Sequence, residues 1–213
     1  HAYGVSINEY LVAVYVWSVY TECMHGMPSE RPVRVAVPVN LRPYFNSITT
    51  KNFFVMVSAE FHPTKEIYTF EEVLKSVSES LRSQISRENL EKLFSYNVSN
   101  EKLLAARIVP LFLKNLAMRY VYTTSALANT ATVTNIGNIS VSEEYRPYVE
   151  MFHAFLAMSK GQHLKGTICS YGDTLVFSFS YDLVDASVQR GFFRKIASDG
   201  IAVEIKSNGV NYE

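Results

Sequence analysis

The sequence predicts an α/β domain, a mixed β-sheet flanked by long α-helices, and three observations carry that prediction. Two capping boxes of the S/T-x-x-E kind, Ser6/Glu9 and Thr69/Glu72, each stand at the head of an apolar run with helical spacing. Valine-rich stretches bounded by turn residues read as strands. A Gly172-Asp173 pair joins two such stretches as a hairpin turn. The chain has 213 residues, 48% of them apolar, so a substantial core can be buried. No repeat, low-complexity tract or linker divides it, and residues 1–213 read as a single domain.

Taken in order, Ile7 to Met24 is apolar nearly all the way round, through Leu11, Val14, Val16, Trp17 and Val19, as in a helix buried on most sides. Gly26 and Pro28 end it. Val33–Val39 is an interior strand, broken by Pro43 and the polar residues of 40–46. Phe53–Phe61 is a second strand, closed by Pro63. Phe70, Val73, Leu74, Val77, Leu81 and Ile85 mark an amphipathic helix whose other face is Glu, Lys, Ser and Arg. Leu90–Ser125 is helical, kinked or divided at Pro110. Thr130–Asn135 is a strand stopped by Gly137. Phe152–Met158, Thr167–Tyr171 and Thr174–Tyr181 read as further strands, Val184–Ala197 as a short helix and Ile201–Ile205 as a last strand.

Twenty basic and twenty acidic side chains cancel, and no basic stripe argues for nucleic acid as a partner. The most apolar stretch, Tyr10–Tyr20, is too short to span a bilayer. Cys23 and Cys169 form no zinc or disulfide framework, and two buried thiols in a reducing, cytoplasmic compartment are expected. The chain opens at His1 rather than Met and runs almost at once into a helix, as a piece of a longer polypeptide would.

None of the five histidines, His1, His25, His62, His153 and His163, falls in a recognisable ligand or base pattern. His25 and His62 adjoin turn residues and are expected at the surface. His153, beside Phe152 and Phe155, is expected in the core or a tunnel wall, and His163 in a loop. No metal-ligand cluster, phosphate-cradling glycine loop or G-x-S-x-G elbow is present in the sequence. These residues alone build no catalytic site.

Four segments, in order, carry a resemblance: Gly4-Val-Ser-Ile-Asn-Glu-Tyr10; Val37-Pro-Val-Asn-Leu-Arg-Pro43 with Lys51-Asn-Phe-Phe54; Thr134-Asn-Ile-Gly-Asn-Ile139; and Asp173–Asp199 with Ile201–Ile205. Their order resembles the second half of the chloramphenicol-acetyltransferase-like, CoA-dependent acyltransferases. That superfamily includes condensation domains, wax-ester synthases and alcohol-acetyltransferase-like proteins. The resemblance implies two lobes around a tunnel. An N-terminal lobe, absent from this chain, would carry the catalytic histidine motif H-H-x-x-x-D-G, whose second histidine is the general base. The donor would be acyl-CoA (acetyl-CoA) or a carrier-protein thioester, the acceptor a small alcohol or amine, and no cofactor would be bound.

Laid on that motif, Ser180-Tyr-Asp-Leu-Val-Asp-Ala186 keeps only the aspartate. Serine and tyrosine are poor bases near neutral pH, so no catalytic residue is expected here and Asp185 reads as a helix cap. The same departure argues against a trimeric single-lobe enzyme, which needs the histidines in this chain. The resemblance implies substrate-facing roles for Asn135 and Gly137, whose amide and backbone groups could hold the thioester end or the reacting carbonyl, set against a plain strand-end turn. Arg42 resembles a loop-locking arginine more than a substrate contact. Asn52 matches a family asparagine, although Lys51 replaces the glycine before it. The function implied is acyl transfer, with this lobe lining the tunnel and inactive alone. The alternative is a non-catalytic binding module of the same fold. An exposed lobe interface should lead the isolated chain to associate with its N-terminal lobe or with itself.

Overall fold

A computed structural model of the chain describes residues 3–102, 109–159 and 161–208, without the side chains of 97, 98, 100–102, 125 and 126. His1 lies outside the described residues. Helix α1 (Ile7–Ser18) starts on the predicted capping box, with Ser6 Oγ accepting the Glu9 N–H and the Glu9 carboxylate accepting the Ser6 N–H. The hydroxyls of Ser18 and Thr21 bond back to Val14 and Trp17 carbonyls, and the helix then widens into a π turn over Val19–Cys23. Gly26, at φ +70°, closes it through its N–H to the Tyr20 carbonyl.

The strands are β1 (Val33–Asn40), β2 (Phe54–Phe61), β3 (Ala131–Asn138), β4 (Leu164–Tyr171) and β5 (Thr174–Tyr181). They form one five-stranded sheet in the order β2-β1-β3-β4-β5. The two outer pairs are antiparallel, while β1 with β3 and β3 with β4 are parallel. A short helix α2 (Arg42–Phe45) follows β1; α3 (Phe70–Gln84), α4 (Arg87–Lys102) and α5 (Leu111–Leu127) lie between β2 and β3; and α6 (Ser187–Ser198) follows β5. Fold class and sheet type are as the sequence predicts.

One face of the sheet holds the core. Val35, Val37, Val55, Val57, Ala59, Phe61, Val133 and Ile168 bury against α1, α3 and α6. Aromatic rings lock the layers: Tyr20 meets Phe61 at 5.4 Å, Tyr15 stacks on Phe179 at 5.9 Å, and Phe177 meets Phe192 at 4.3 Å. The second capping box, Thr69/Glu72, opens α3. The serine stripe of α3 does more than face water. Ser76, Ser80 and Gln84, one helical turn apart, bond the outer backbone groups of Ser58 and Glu60 on β2. That covers an edge strand which would otherwise invite pairing.

Several elements differ from the expectation. Phe152–Met158 is extended but joins no ladder; it lies as a strap held by side chains of β4. The Cys169 thiol donates to the Phe152 carbonyl at 3.2 Å, and the Phe152 and Tyr171 rings meet at 5.3 Å. The buried Lys165 ammonium donates to the Ala157 carbonyl at 2.8 Å and to Ser159 Oγ at 2.6 Å. Ile201–Ile205 is likewise not a strand. Helix α6 starts at Ser187 rather than Val184, because Asp185 caps it through the Ser187 N–H and hydroxyl. The predicted cap is therefore present, one residue outside the helix boundary. Strand β3 runs on through a bulge between Asn135 and Gly137 instead of stopping there. Cys23 is exposed, not buried, and His153 is exposed rather than in the core. Pro110 stands just ahead of α5, its carbonyl accepting the N–H groups of Leu113 and Lys114.

Candidate functional site

The parallel register of β1 and β3, Val35 beside Ala131, brings the C-terminal ends of both strands to the same end of the sheet. Around that end stand the four residues singled out in the sequence. Asn135 and Gly137 flank the bulge. Gly137 has φ +85°, a conformation natural to glycine, and a Cβ there would meet nothing within 4 Å. Its N–H donates to Asn135 Oδ1 at 2.8 Å. With the side-chain oxygen so occupied, the Asn135 amide presents its NH₂ as a donor. Asn135 and the next residue, Ile136, are exposed.

Arg42 sits at the first turn of α2 and ties the 46–52 loop together. Its Nε donates to the Thr49 carbonyl at 2.8 Å, Nη2 to the Lys51 carbonyl at 2.6 Å and Nη1 to Asn40 Oδ1 at 3.1 Å. Asn46, in the left-handed region at φ 49°, ends the short helix. The guanidinium fixes the backbone just before Asn52, which is exposed beside the first residues of β2. The Leu41 N–H to Phe53 carbonyl bond, 3.1 Å, closes the loop base. This arrangement offers amide and backbone donors at a strand end and holds no acid–base group.

The segment Ser180–Ala186 lies elsewhere. Tyr181 pairs with Leu164 and Ser180 with Lys165, whereas Asn135 pairs with Ile168. Four residues of strand separate the two rows, about 13 Å. The structure therefore gathers Arg42, Asn52, Asn135 and Gly137 at one end of the sheet and places Ser180, Tyr181 and Asp185 toward the other. At that second end, His163 Nδ1 lies 3.0 Å from Asp182 Oδ1, and the Asp182 N–H donates to the His163 carbonyl. His163, expected in a loop, lies one residue before β4. Extending the hairpin register by one residue past Leu164/Tyr181 would have found the pair. Both side chains are about half exposed, 59% and 49%, so the contact is a surface pairing.

Among the described residues, no group of three or more His, Cys, Asp or Glu could hold a metal ion, and no helix is long and apolar enough to cross a membrane.

No family model and no curated protein matches the chain. Solved structures do match. A nonribosomal peptide synthetase, FmoA3 in an AMPPNP-bound form, superposes with a TM-score of 0.53 at 17% identity over 92% of this chain and 19% of its own. A wax ester synthase/diacylglycerol acyltransferase from Marinobacter aquaeolei VT8 aligns with a TM-score of 0.49 at 14% identity, over 94% of this chain and 45% of that one. A structure describing condensation domain-mediated chain release from the enacyloxin polyketide synthase gives 0.48, 11%, 96% and 38%. The chain thus spans less than half the length of each. With a five-stranded mixed sheet in this order and the synthetase superposition, the chain has the fold of one lobe of a chloramphenicol-acetyltransferase-like protein.

Proposed function

We propose that the chain is the C-terminal lobe of an acyl-CoA-dependent acyltransferase, lining the tunnel through which an acyl group passes from a thioester to an alcohol or amine. One observation supports this above the others: the bulge at Asn135–Gly137 and the Arg42-locked loop carrying Asn52 stand at the C-terminal ends of the parallel strands β3 and β1, the same end of the sheet. There the Asn135 amide and nearby backbone N–H groups could receive a thioester or a developing oxyanion. Arg42 acts by holding the loop, and Asn52 is carried into position by it. Ser180 and Tyr181 stand where the motif's two histidines would be, so the proton-abstracting histidine belongs to an N-terminal lobe and the isolated chain is inactive. The donor is acyl-CoA as substrate, and the compartment is cytoplasmic.

The test is a thiol-release assay with a series of acyl-CoA donors on the full-length polypeptide. It is run with the wild type, with the upstream histidine replaced, and with Asn135→Ala. Thiol release that depends on the histidine and falls with Asn135→Ala supports the reading. Absence of release from every donor, with the polypeptide folded, favours the non-catalytic binding module instead.

A further inference from the structure

We propose that helix α5 is the surface on which the other half of the fold seats; this rests on the reading above that the chain is one of two lobes. Helix α5 is seventeen residues long and exposes large apolar side chains on several sides. Phe112, Leu116 and Tyr120 are 70%, 68% and 73% exposed, Met118 and Tyr122 are 64% and 58%, and Val121 is 52%. At about 100° per residue the first three share one side, Val121 lies opposite Phe112, and Met118 and Tyr122 take a third side. A helix apolar all round is a buried helix, and this lobe leaves it uncovered.

The kind of occupant follows from three features. A helix lying on a membrane surface needs a continuous polar face opposite its apolar one. In α5 Asn115, Arg119 and Thr123 form only a narrow ridge, flanked by the exposed Tyr122 on one side and Phe112 and Leu116 on the other, and Lys114 stands apart from it. Lys114 and Arg119 are the only charges in Leu111–Leu127, so two copies laid α5 against α5 would bring like charges together, while a partner face carrying carboxylates is complementary. The apolar surface also continues beyond the helix. Ser58 Oγ donates to Asn129 Oδ1 at 3.1 Å, tying the end of α5 to the outward face of β2, where Phe54 and Met56 are 50% and 46% exposed. In the synthetase that shares this fold, the matching region is 19% of a longer chain. The occupant is therefore a folded, carboxylate-bearing lobe of the same polypeptide.

Hydroxyl-radical footprinting of the full-length polypeptide tests this without a substitution that might unfold it. Labelling of Met118, Tyr120 and Tyr122 is compared with that of a synthetic peptide spanning 109–128. The expected result is a several-fold loss of labelling at all three positions, independent of protein concentration and of added lipid. Labelling at the peptide's rate overturns the proposal. So does protection that appears only with phosphatidylglycerol vesicles, which makes the occupant a membrane, or protection that grows with protein concentration, which makes it a second copy. The thiol-release assay is independent of this readout. Protected side chains with no thiol release uphold the docking surface and fail only the acyltransferase reading.

Discussion

Replacing Asp199 with alanine should destabilise the chain by about 3 kcal/mol, because this one carboxylate ties the first helix to the last. Tyr10 Oη donates to Asp199 Oδ2 at 2.7 Å, Tyr3 Oη to Oδ1 at 3.2 Å, and the Lys195 ammonium sits 2.5 Å from Oδ1. Lys195 and Asp199 keep only 15% and 17% of their side-chain surface exposed. Breaking a buried pair from one side costs about 3–5 kcal/mol, since the remaining charge stays desolvated. The lower end applies here: the Lys195 ammonium keeps the Phe70 ring 4.0 Å away and the Tyr3 hydroxyl at 3.5 Å. For a chain of this size, a loss of that order lowers Tm by roughly 6–12 °C. Burial by itself would raise the Asp199 pKa, but the hydrogen bonds from Lys195, Tyr10 and Tyr3 outweigh it and hold it below the ordinary value. A carboxyl depressed in the folded state contributes its stability above its unfolded pKa of about 3.9 and loses it as pH falls through the folded value. Urea unfolding of wild type and Asp199→Ala should therefore differ most near pH 7 and converge below pH ~4. Tyr10→Phe should cost about 1 kcal/mol in the wild type and almost nothing in the Asp199→Ala background. A difference under about 1 kcal/mol at neutral pH, or one unchanged from pH 7 to pH 3, would refute the reasoning.

Two further substitutions probe positions set by backbone proximity. Gly166→Ala places a Cβ 2.6 Å from Phe177 Cζ and 3.2 Å from Val133 Cγ2, between rigid core neighbours, and should cost about 1–3 kcal/mol in chemical denaturation. Gly137→Ala meets open space, so its cost of about 1 kcal/mol is backbone strain alone. On the acyltransferase reading it should also lower thiol-release kcat/KM by more than that loss of stability explains, because relief of the positive φ would turn the residue-137 N–H away from Asn135 Oδ1 and free the amide it orients.

What the sequence made legible is what local chemistry decides. Both capping boxes form as read, since a Ser or Thr hydroxyl and a Glu carboxylate three residues on need no distant partner to meet their N–H groups. The β4–β5 hairpin forms on Gly172, at φ +55°, for the same reason. The candidate site was half legible. The residue types at Asn135, Gly137, Arg42 and Asn52 could be picked out, but their gathering at one end of the sheet depends on the parallel pairing of β1 with β3 across ninety intervening residues. The edge-covering role of Ser76, Ser80 and Gln84 was hidden because a polar helical stripe looks the same whether it faces water or strand backbone.

The misread strap shows where a period-two pattern stops being informative. Alternation reports that one side of an extended segment is apolar and the other is not; it carries no information about whether backbone groups find a ladder. Phe152–Met158 satisfies the pattern by laying one side on the sheet and the other toward solvent, with Phe155 67% exposed. The contrary signal was in β4, not in the strap. Lys165, Thr167 and Cys169 alternate along a strand that is buried on both faces. A buried ammonium and a buried thiol on the outward side require acceptors at close range, and the carbonyls of Ala157 and Phe152 supply them. A packed helix, with its carbonyls spent internally, could not. Lys165 and Cys169 thus call for covering backbone, while Thr167 Oγ1 between them is buried without a hydrogen-bond partner. With the strap in place over β4, the outward face there is closed.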